Sequence, residues 1–373
     1  VGGAAGTPTG GAGGATGGSA GTSSGGGGLG GAGGAGAGTG GSGGDTGGTG
    51  LGGAGGSAGS GPTGWTCPSG LTGTPTLAGT PMRVASVPPP DSFNMNNGNF
   101  GNVEGPVWID DALYVSEMSY MAYDQTNSNV KMSRILKVTS SGQASVHVAD
   151  SGSNGLAVDA NGDLVAAVHK DGSITRLPLP SGAAVPVASV YMSSRFNSPN
   201  DLAIRSDGTI YFTDPNFQAP NSLPQAQTRV YRVAPGGQAE PIPTAAPDMF
   251  GNPNGITLSL AEDFLYVAAQ TGRRYPVMTD GSIGAGQDFA AASGGDGMAI
   301  DCAGNLYVTK ANSAVVSVYE PSGDKIGDIT VPDVQAVTNV AFGGAERKTL
   351  YITGLGNNKG LFTLTLDIPG RPY

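Results

Sequence analysis

The chain has 373 residues, a net charge of −10 and two cysteines. That acidity argues against nucleic acid and anionic membrane as partners, and no apolar run is long enough to span a bilayer. Cys-x-x-Cys pairs and Cys/His zinc spacing are absent as well.

Residues 1–64 hold 34 of the 67 glycines, with Ala, Ser and Thr and one charged residue, Asp45. Such a segment has too little apolar surface to offset the entropy of ordering, which predicts a disordered, flexible tether. Glycine does not recur every third residue, so a collagen helix is ruled out. The chain opens on Val and shows no signal peptide, which reads as a processed or trimmed form. A tether ahead of a folded domain suits a bacterial protein exported to the periplasm, the cell surface or the medium. Residues 65–373 are expected to form one domain with a substantial core.

After residue 100 one phrase recurs six times: a polar residue, a small residue, an apolar pair, a turn and a strand. The copies begin at Glu104, Asn154, Asn200, Asn254, Asp296 and Asn339, spaced by 50, 46, 54, 42 and 43 residues. A period of ~40–50 residues built from strand pairs is the signature of propeller blades. Residues 156–159 and 163–168 flank Asn161-Gly162, a hairpin signal, and Asp207-Gly208 plays the same part in the third copy. Further strands fill each period at 134–139, 144–148, 229–233, 315–320 and 328–331. Met82, Val84 and Val87 precede the first copy and are expected to close the ring as the outer strand of the last blade. The predicted fold is all-β, a six-bladed β-propeller preceded by a disordered Gly-rich tether. Trp108, Tyr211, Tyr266, Tyr307 and Tyr351 recur in its inner strands as expected core.

A radial arrangement brings the six leading residues to one axis. Glu104 and Asp296 supply carboxylates there, and Asn200 and Asn254 supply amide oxygens. Two negative charges with neutral oxygens fit a hard divalent cation, Ca²⁺ first, with Zn²⁺, Mn²⁺ and Mg²⁺ as other candidates. Taken singly, Asn-Gly and Asp-Gly are ordinary turn formers; turn chemistry does not explain the Glu-Gly-Pro of the first copy or the repeated placement. Asn154 and Asn339 share the address and line the channel. His169 and Arg195 are candidate substrate contacts, against the plainer roles of a structural histidine and a loop salt bridge. Asp201 is either support for Asn200 or a strand-start turn residue. Cys67 and Cys302 are two free thiols or one disulfide, and export favours the disulfide.

These residues resemble the senescence marker protein/gluconolactonase/luciferin-regenerating enzyme family of six-bladed propellers. The resemblance runs from about 104 to 366 and rests on EGPVW at 104–108, RFNSPNDLAIRSDGTIYFTDP at 195–215, PNGITLS at 253–259, DGMAIDCAGNLYV at 296–308 and TNVAFGG at 338–344. It implies that Glu104, Asn200, Asn254 and Asp296 surround a divalent cation. Two departures alter the pocket rim: His169-Lys170-Asp171-Gly172 where bacterial relatives read His-Gly and basic residues, and a polar insert at 119–129. The expected chemistry is metal-assisted hydrolysis of a lactone, with Asp296 as general base and Asn200 also holding substrate. The expected partner is a small-molecule lactone or ester, and the expected state a monomer. A non-catalytic binding propeller and a phosphotriesterase on the same centre are the alternatives. Asp301, in a hairpin turn, is expected to matter little.

Overall fold

The computed structural model describes residues 64–87, 102–124, 126–243, 251–356 and 358–373. The expected tether at 1–64 lies outside them except for Gly64. The described residues are all-β apart from a single 3₁₀ turn at Ala290–Ala292. None of their helices is long and apolar enough to cross a membrane.

Each repeat folds because its turn is fixed by a short polar side chain. The Asp159 carboxylate accepts hydrogen bonds from the Asn161 and Asp163 amides at 2.9 and 3.1 Å, and Gly162 supplies the positive φ of 83°. Asp301 does the same for the Ala303 and Asn305 amides, both at 2.9 Å. In the fourth repeat the Ser259 hydroxyl takes the Asp263 and Phe264 amides at 3.1 and 3.0 Å. The strands leaving these turns are apolar on both faces, as strands packed between neighbouring sheets must be.

Four antiparallel meanders stand as separate four-stranded sheets, giving a propeller-like arrangement. The second repeat shows the pattern: Ser153–Val158, Leu164–Val168, Ser173–Leu177 and Val185–Ala188 lie side by side in sequence order. The expectation of six separate blades is not met in that form. The first and last periods share one eight-stranded sheet, because Asn102 of Asn102–Ile109 pairs with Leu355 of Thr349–Leu355. The first strands of the repeats touch one another in order: Asn102–Ile109, Ser153–Val158, Leu202–Ile204, Ile256–Leu258, Gly295–Ile300 and Ala336–Gly343. Ala336–Gly343 returns to Asn102–Ile109, and there the Thr338 hydroxyl donates to the Val103 carbonyl at 2.6 Å.

The core fills the spaces between neighbouring sheets. Val165, Ala167 and Ile174 of the second repeat pack on Phe196, Phe212 and Tyr231 of the third. Trp108, Tyr211, Tyr266, Tyr307 and Tyr351 are all buried, as expected. Each fully buried large side chain contributes about 1.5–3 kcal/mol.

Both ends of the chain fasten the ring. Met82–Arg83 pairs with Gly360–Thr365 as its outermost strand, the closure the sequence suggested. Cys67 and Cys302 are joined by a disulfide with a Cα–Cα distance of 5.4 Å. At the other end, the Cys302 amide donates to the Pro369 carbonyl at 2.8 Å and the Arg371 amide to the Ile300 carbonyl at 2.9 Å.

The structure places Asp301 in its hairpin turn, as expected, and gives it a further structural load. Its carboxylate is fully buried and also receives the Asn305 side-chain amide at 2.9 Å and the Tyr307 hydroxyl at 3.2 Å. An amide replacing it turns a donor toward those donors. Asp301→Asn is therefore expected to destabilise the fold by about 1–3 kcal/mol, with activity per folded molecule unchanged. Chemical denaturation and an active-fraction assay check both halves.

Candidate active site

The six leading residues enter the inner strands at one end of the ring. Adjacent repeats approach there at backbone contact. The Gly155 amide donates to the Asn200 carbonyl at 2.6 Å. A Cβ on Gly255 would lie 1.9 Å from the Asp296 carbonyl oxygen, and one on Gly297 would lie 2.1 Å from the Asn339 side chain. The glycine after four of the leaders, Gly105, Gly155, Gly255 and Gly297, is thus a packing requirement, whereas Asp201 and Val340 follow the other two.

Three acidic side chains share this end. Glu104 and Asp201 are buried and Asp296 is half-buried. Burial, then the charges of Asp296 and Asp201, push the Glu104 carboxyl well above its usual range. Burial and the charge of Asp201 raise Asp296 to about 8. Burial raises Asp201 to about 6, although the Leu202 amide donates to one of its oxygens at 2.9 Å and the Ile256 amide to the other at 3.4 Å. Each acid has an amide partner: Asn102 for Glu104, Asn254 for Asp296 and Asn339 for Asp201. Clustered carboxyls that resist ionisation are what a bound dication relieves.

The structure brings Glu104, Asn254, Asp296 and Asn339 into one interacting group through the hydrogen bonds and charges just described. Asn154 and Asn200 are buried at equivalent positions. Among the described residues, no three or more His, Cys, Asp or Glu side chains come together as a metal-holding group. A cation at this ring would rely on amide oxygens beside its carboxylates. An all-oxygen set of that kind fits a hard ion such as Ca²⁺. Asp201 is the acid that sequence reasoning left ambiguous. Its links to Ile256 and Asn339 join repeats far apart in the chain, and its only local signal is the Asn-Asp pair.

His169 takes the plainer structural role that the sequence left open, and Arg195 makes backbone contacts. His169 is fully buried, and its Nε2–H donates to the Lys131 carbonyl at 2.6 Å. Burial, reinforced by the Arg195 charge, lowers the imidazole to about 4, so the ring is neutral. The Arg195 guanidinium donates to the carbonyls of Phe196, Lys170 and His169 at 3.1, 2.9 and 2.8 Å. Arg195 thereby braces a loop through backbone carbonyls rather than through a salt bridge. Nearby, Asp214 receives the Asn197 and Ser198 amides at 2.9 and 2.7 Å, fixing the segment that delivers Asn200.

A cavity of about 100 Å³ runs down the ring from Asp201 and Asn339, between apolar residues such as Leu202, Ile256 and Met298. Arg371, Pro372 and Tyr373 also line it. Arg371 donates to the Leu258 and Ser259 carbonyls at 3.0 and 3.1 Å and to Glu262 at 2.6 Å. The Tyr373 hydroxyl donates to the Phe342 carbonyl at 2.9 Å. Because these partners end or follow the inner strands, the tail closes the channel opposite the acids. Nothing in the sequence pattern signalled this floor.

Comparison with known proteins agrees with the propeller-like fold. A gluconolactonase of Zymomonas mobilis is 28% identical over 282 residues, covering 68% of this chain and 76% of that protein. The structure of a gluconolactonase from Xanthomonas campestris superposes with a TM-score of 0.60 at 26% identity, covering 81% of this chain and 100% of that one. Regucalcin of Agrobacterium tumefaciens, described as a calcium-binding protein, shares the fold at a TM-score of 0.57 and 17% identity, over 81% of this chain and 96% of its own. The SMP-30/Gluconolactonase/LRE-like region matches residues 103–356, and the chain belongs to that family.

Proposed function

We propose that this protein is a divalent-metal-dependent hydrolase that opens a lactone at the acidic end of its ring. The observation that carries the reading is that Glu104, Asp201 and Asp296 stand at one end of the ring, all three raised by burial, with Glu104 and Asp296 raised further by the charge of neighbouring acids. The similarity to gluconolactonases of Zymomonas and Xanthomonas supports the choice of substrate. We count six blades by treating the eight-stranded sheet as two meanders linked by the Asn102–Leu355 pair.

In this reading Glu104, Asn200, Asn254 and Asp296 hold the cation, Ca²⁺ by preference. When bound, the ion supplies Lewis-acid polarisation of the lactone carbonyl and a counter-charge for the developing oxyanion. Asp296 takes a proton from the attacking water, and its hydrogen bond with Asn254 fixes its direction. Asn200 orients the ring, held in turn through the Asp214 knot. Arg371 and Tyr373 keep the floor closed, so substrate and water enter from the acidic end. The Cys67–Cys302 disulfide supports the exported setting.

Hydrolysis of glucono-1,5-lactone, an unsubstituted δ-lactone and an organophosphate triester, each with Ca²⁺ and with a chelator, tests the proposal. Lactone turnover that chelation abolishes and Ca²⁺ restores is expected. Turnover of the triester alone assigns a phosphotriesterase instead, and no turnover with Ca²⁺ bound assigns a binding propeller.

A further inference from the structure

The 119–129 insert is a built wall. Ala112–Asp124 runs past the end of its inner partner, since Asn102 already faces Met118. The hairpin it forms with Asn127–Thr139 therefore rises from the face where Glu104 enters the ring. It crosses the second repeat, where the Tyr123 hydroxyl donates to Asp150 at 2.7 Å. The Lys170 ammonium binds the other Asp150 oxygen at 2.7 Å and lies 4.5 Å from the Tyr123 ring centre. The His169 contact with the Lys131 carbonyl pins the returning strand. Its tip reaches the third repeat: the Asn221 amide donates to Asn127 at 3.2 Å, and the Asn221 side chain donates to the Thr126 carbonyl at 3.0 Å. A hairpin of one repeat held by two others borders one side of the mouth.

That side is apolar. Met121 on the hairpin is 47% exposed, and Phe217 and Leu223, in the 215–228 loop that receives its tip, are 41% and 39% exposed. Val190 and Met192 extend the same side outward at 54% and 81%. Across the mouth, the fourth to sixth repeats expose two large apolar side chains among the described residues: Met278, in a hairpin at the opposite end of its sheet, and Met82, on the outermost strand of the last repeat. Large apolar side chains gathered on one side of a polar mouth mark a place where apolar surface is covered in use. A fully hydroxylated sugar lactone offers them nothing to cover.

Building on the lactonase reading, we propose that this rim binds an apolar substituent, so that the substrate is a lactone carrying an alkyl or aryl side chain. Met121 and Phe217 are its specificity determinants. Both are well exposed, and replacing them leaves the acidic ring and its supports intact.

The test compares kcat/KM of the full chain with Ca²⁺ on glucono-1,5-lactone and on a δ-lactone bearing a pentyl chain, for wild type and for the Met121→Ser/Phe217→Ser double variant. Wild type is expected to favour the pentyl lactone by roughly tenfold or more, the scale on which apolar pockets discriminate. The double variant is expected to lose most of that preference while gluconolactone turnover stays within about twofold. Gluconolactone turnover with no gain from the pentyl chain overturns this inference alone. So does an equal loss on both lactones in the double variant. Absence of turnover on either lactone overturns the lactonase reading and this inference with it.

Discussion

Asp296→Asn is expected to lower lactone turnover by at least ~10²-fold, the lower end of what a positioned acid–base group contributes. The substitution hardly changes volume, and the side chain stays beside Asn254 and Asp201. It removes the group that accepts the water's proton and one of the two proposed carboxylate ligands. Glu104→Gln removes the other carboxylate but leaves the base. It is expected to weaken Ca²⁺ binding comparably, yet to regain much of its activity in excess Ca²⁺. Steady-state kinetics across a Ca²⁺ titration separates the two. Near-normal turnover of Asp296→Asn at saturating Ca²⁺ would make Asp296 a ligand only. The base would then be sought at Asp201, because His169 is buried and committed to the Lys131 carbonyl.

Cys302→Ser is expected to give the largest loss of stability among substitutions away from the acidic ring. The bond spans 235 residues of chain, and losing a native disulfide typically costs about 2–5 kcal/mol through the freedom returned to the unfolded state. More than the covalent link depends on it. The Asn305 side chain donates to the Gly73 carbonyl at 2.9 Å, and Thr76 binds Asp367 through its amide and hydroxyl at 2.9 and 2.7 Å. Without the bond these contacts, with Leu77 packed against the core of the last two repeats, must hold the 67–77 segment. A melting temperature lower by about 5–10 °C is expected, matched by wild type in reductant, with turnover per folded molecule retained. An unchanged melting temperature would mean that the lead-in contributes nothing to the folded ring.

The repeats were legible because the same local physics acts in each. An acidic or hydroxyl side chain fixes a turn, and a polar leader followed by a small residue marks the crowded end of an inner strand. Asp159, Ser259 and Asp301 show the first device, and Gly255 and Gly297 the second. What was not legible depends on contacts between repeats. Asp201 joins the acidic group through Ile256 and Asn339, and its own neighbours do not reveal this. For His169 and Arg195 the sequence left a substrate contact and a structural role side by side. The hairpin that consumes His169 comes from another repeat, and the carbonyls that consume Arg195 become visible only in the fold. The floor formed by Arg371 and Tyr373 has no periodic signal at all.

The raised acids also fix how stability responds to pH. Without a cation, the folded pKa of Asp296, about 8, stands above its ordinary value of 3.8. The folded state binds that proton more tightly, so the contribution is complete below the ordinary value and is lost as pH rises through about 8. The cation-free protein is expected to lose stability across that window, and Ca²⁺ is expected to stabilise it more at the alkaline end.

Calorimetric titration of Ca²⁺ at pH 7, in two buffers of different ionisation enthalpy, decides whether the acidic end of the ring is a cation site. A saturable site at one ion per chain is predicted, with net proton release because Asp296, raised to about 8, gives up its proton when the ion binds, and Glu104 is shifted in the same direction. Both the affinity and the release should fall in Asp296→Asn and in Glu104→Gln. Absence of saturable binding at millimolar Ca²⁺, or binding that both variants leave unchanged, would contradict such a site.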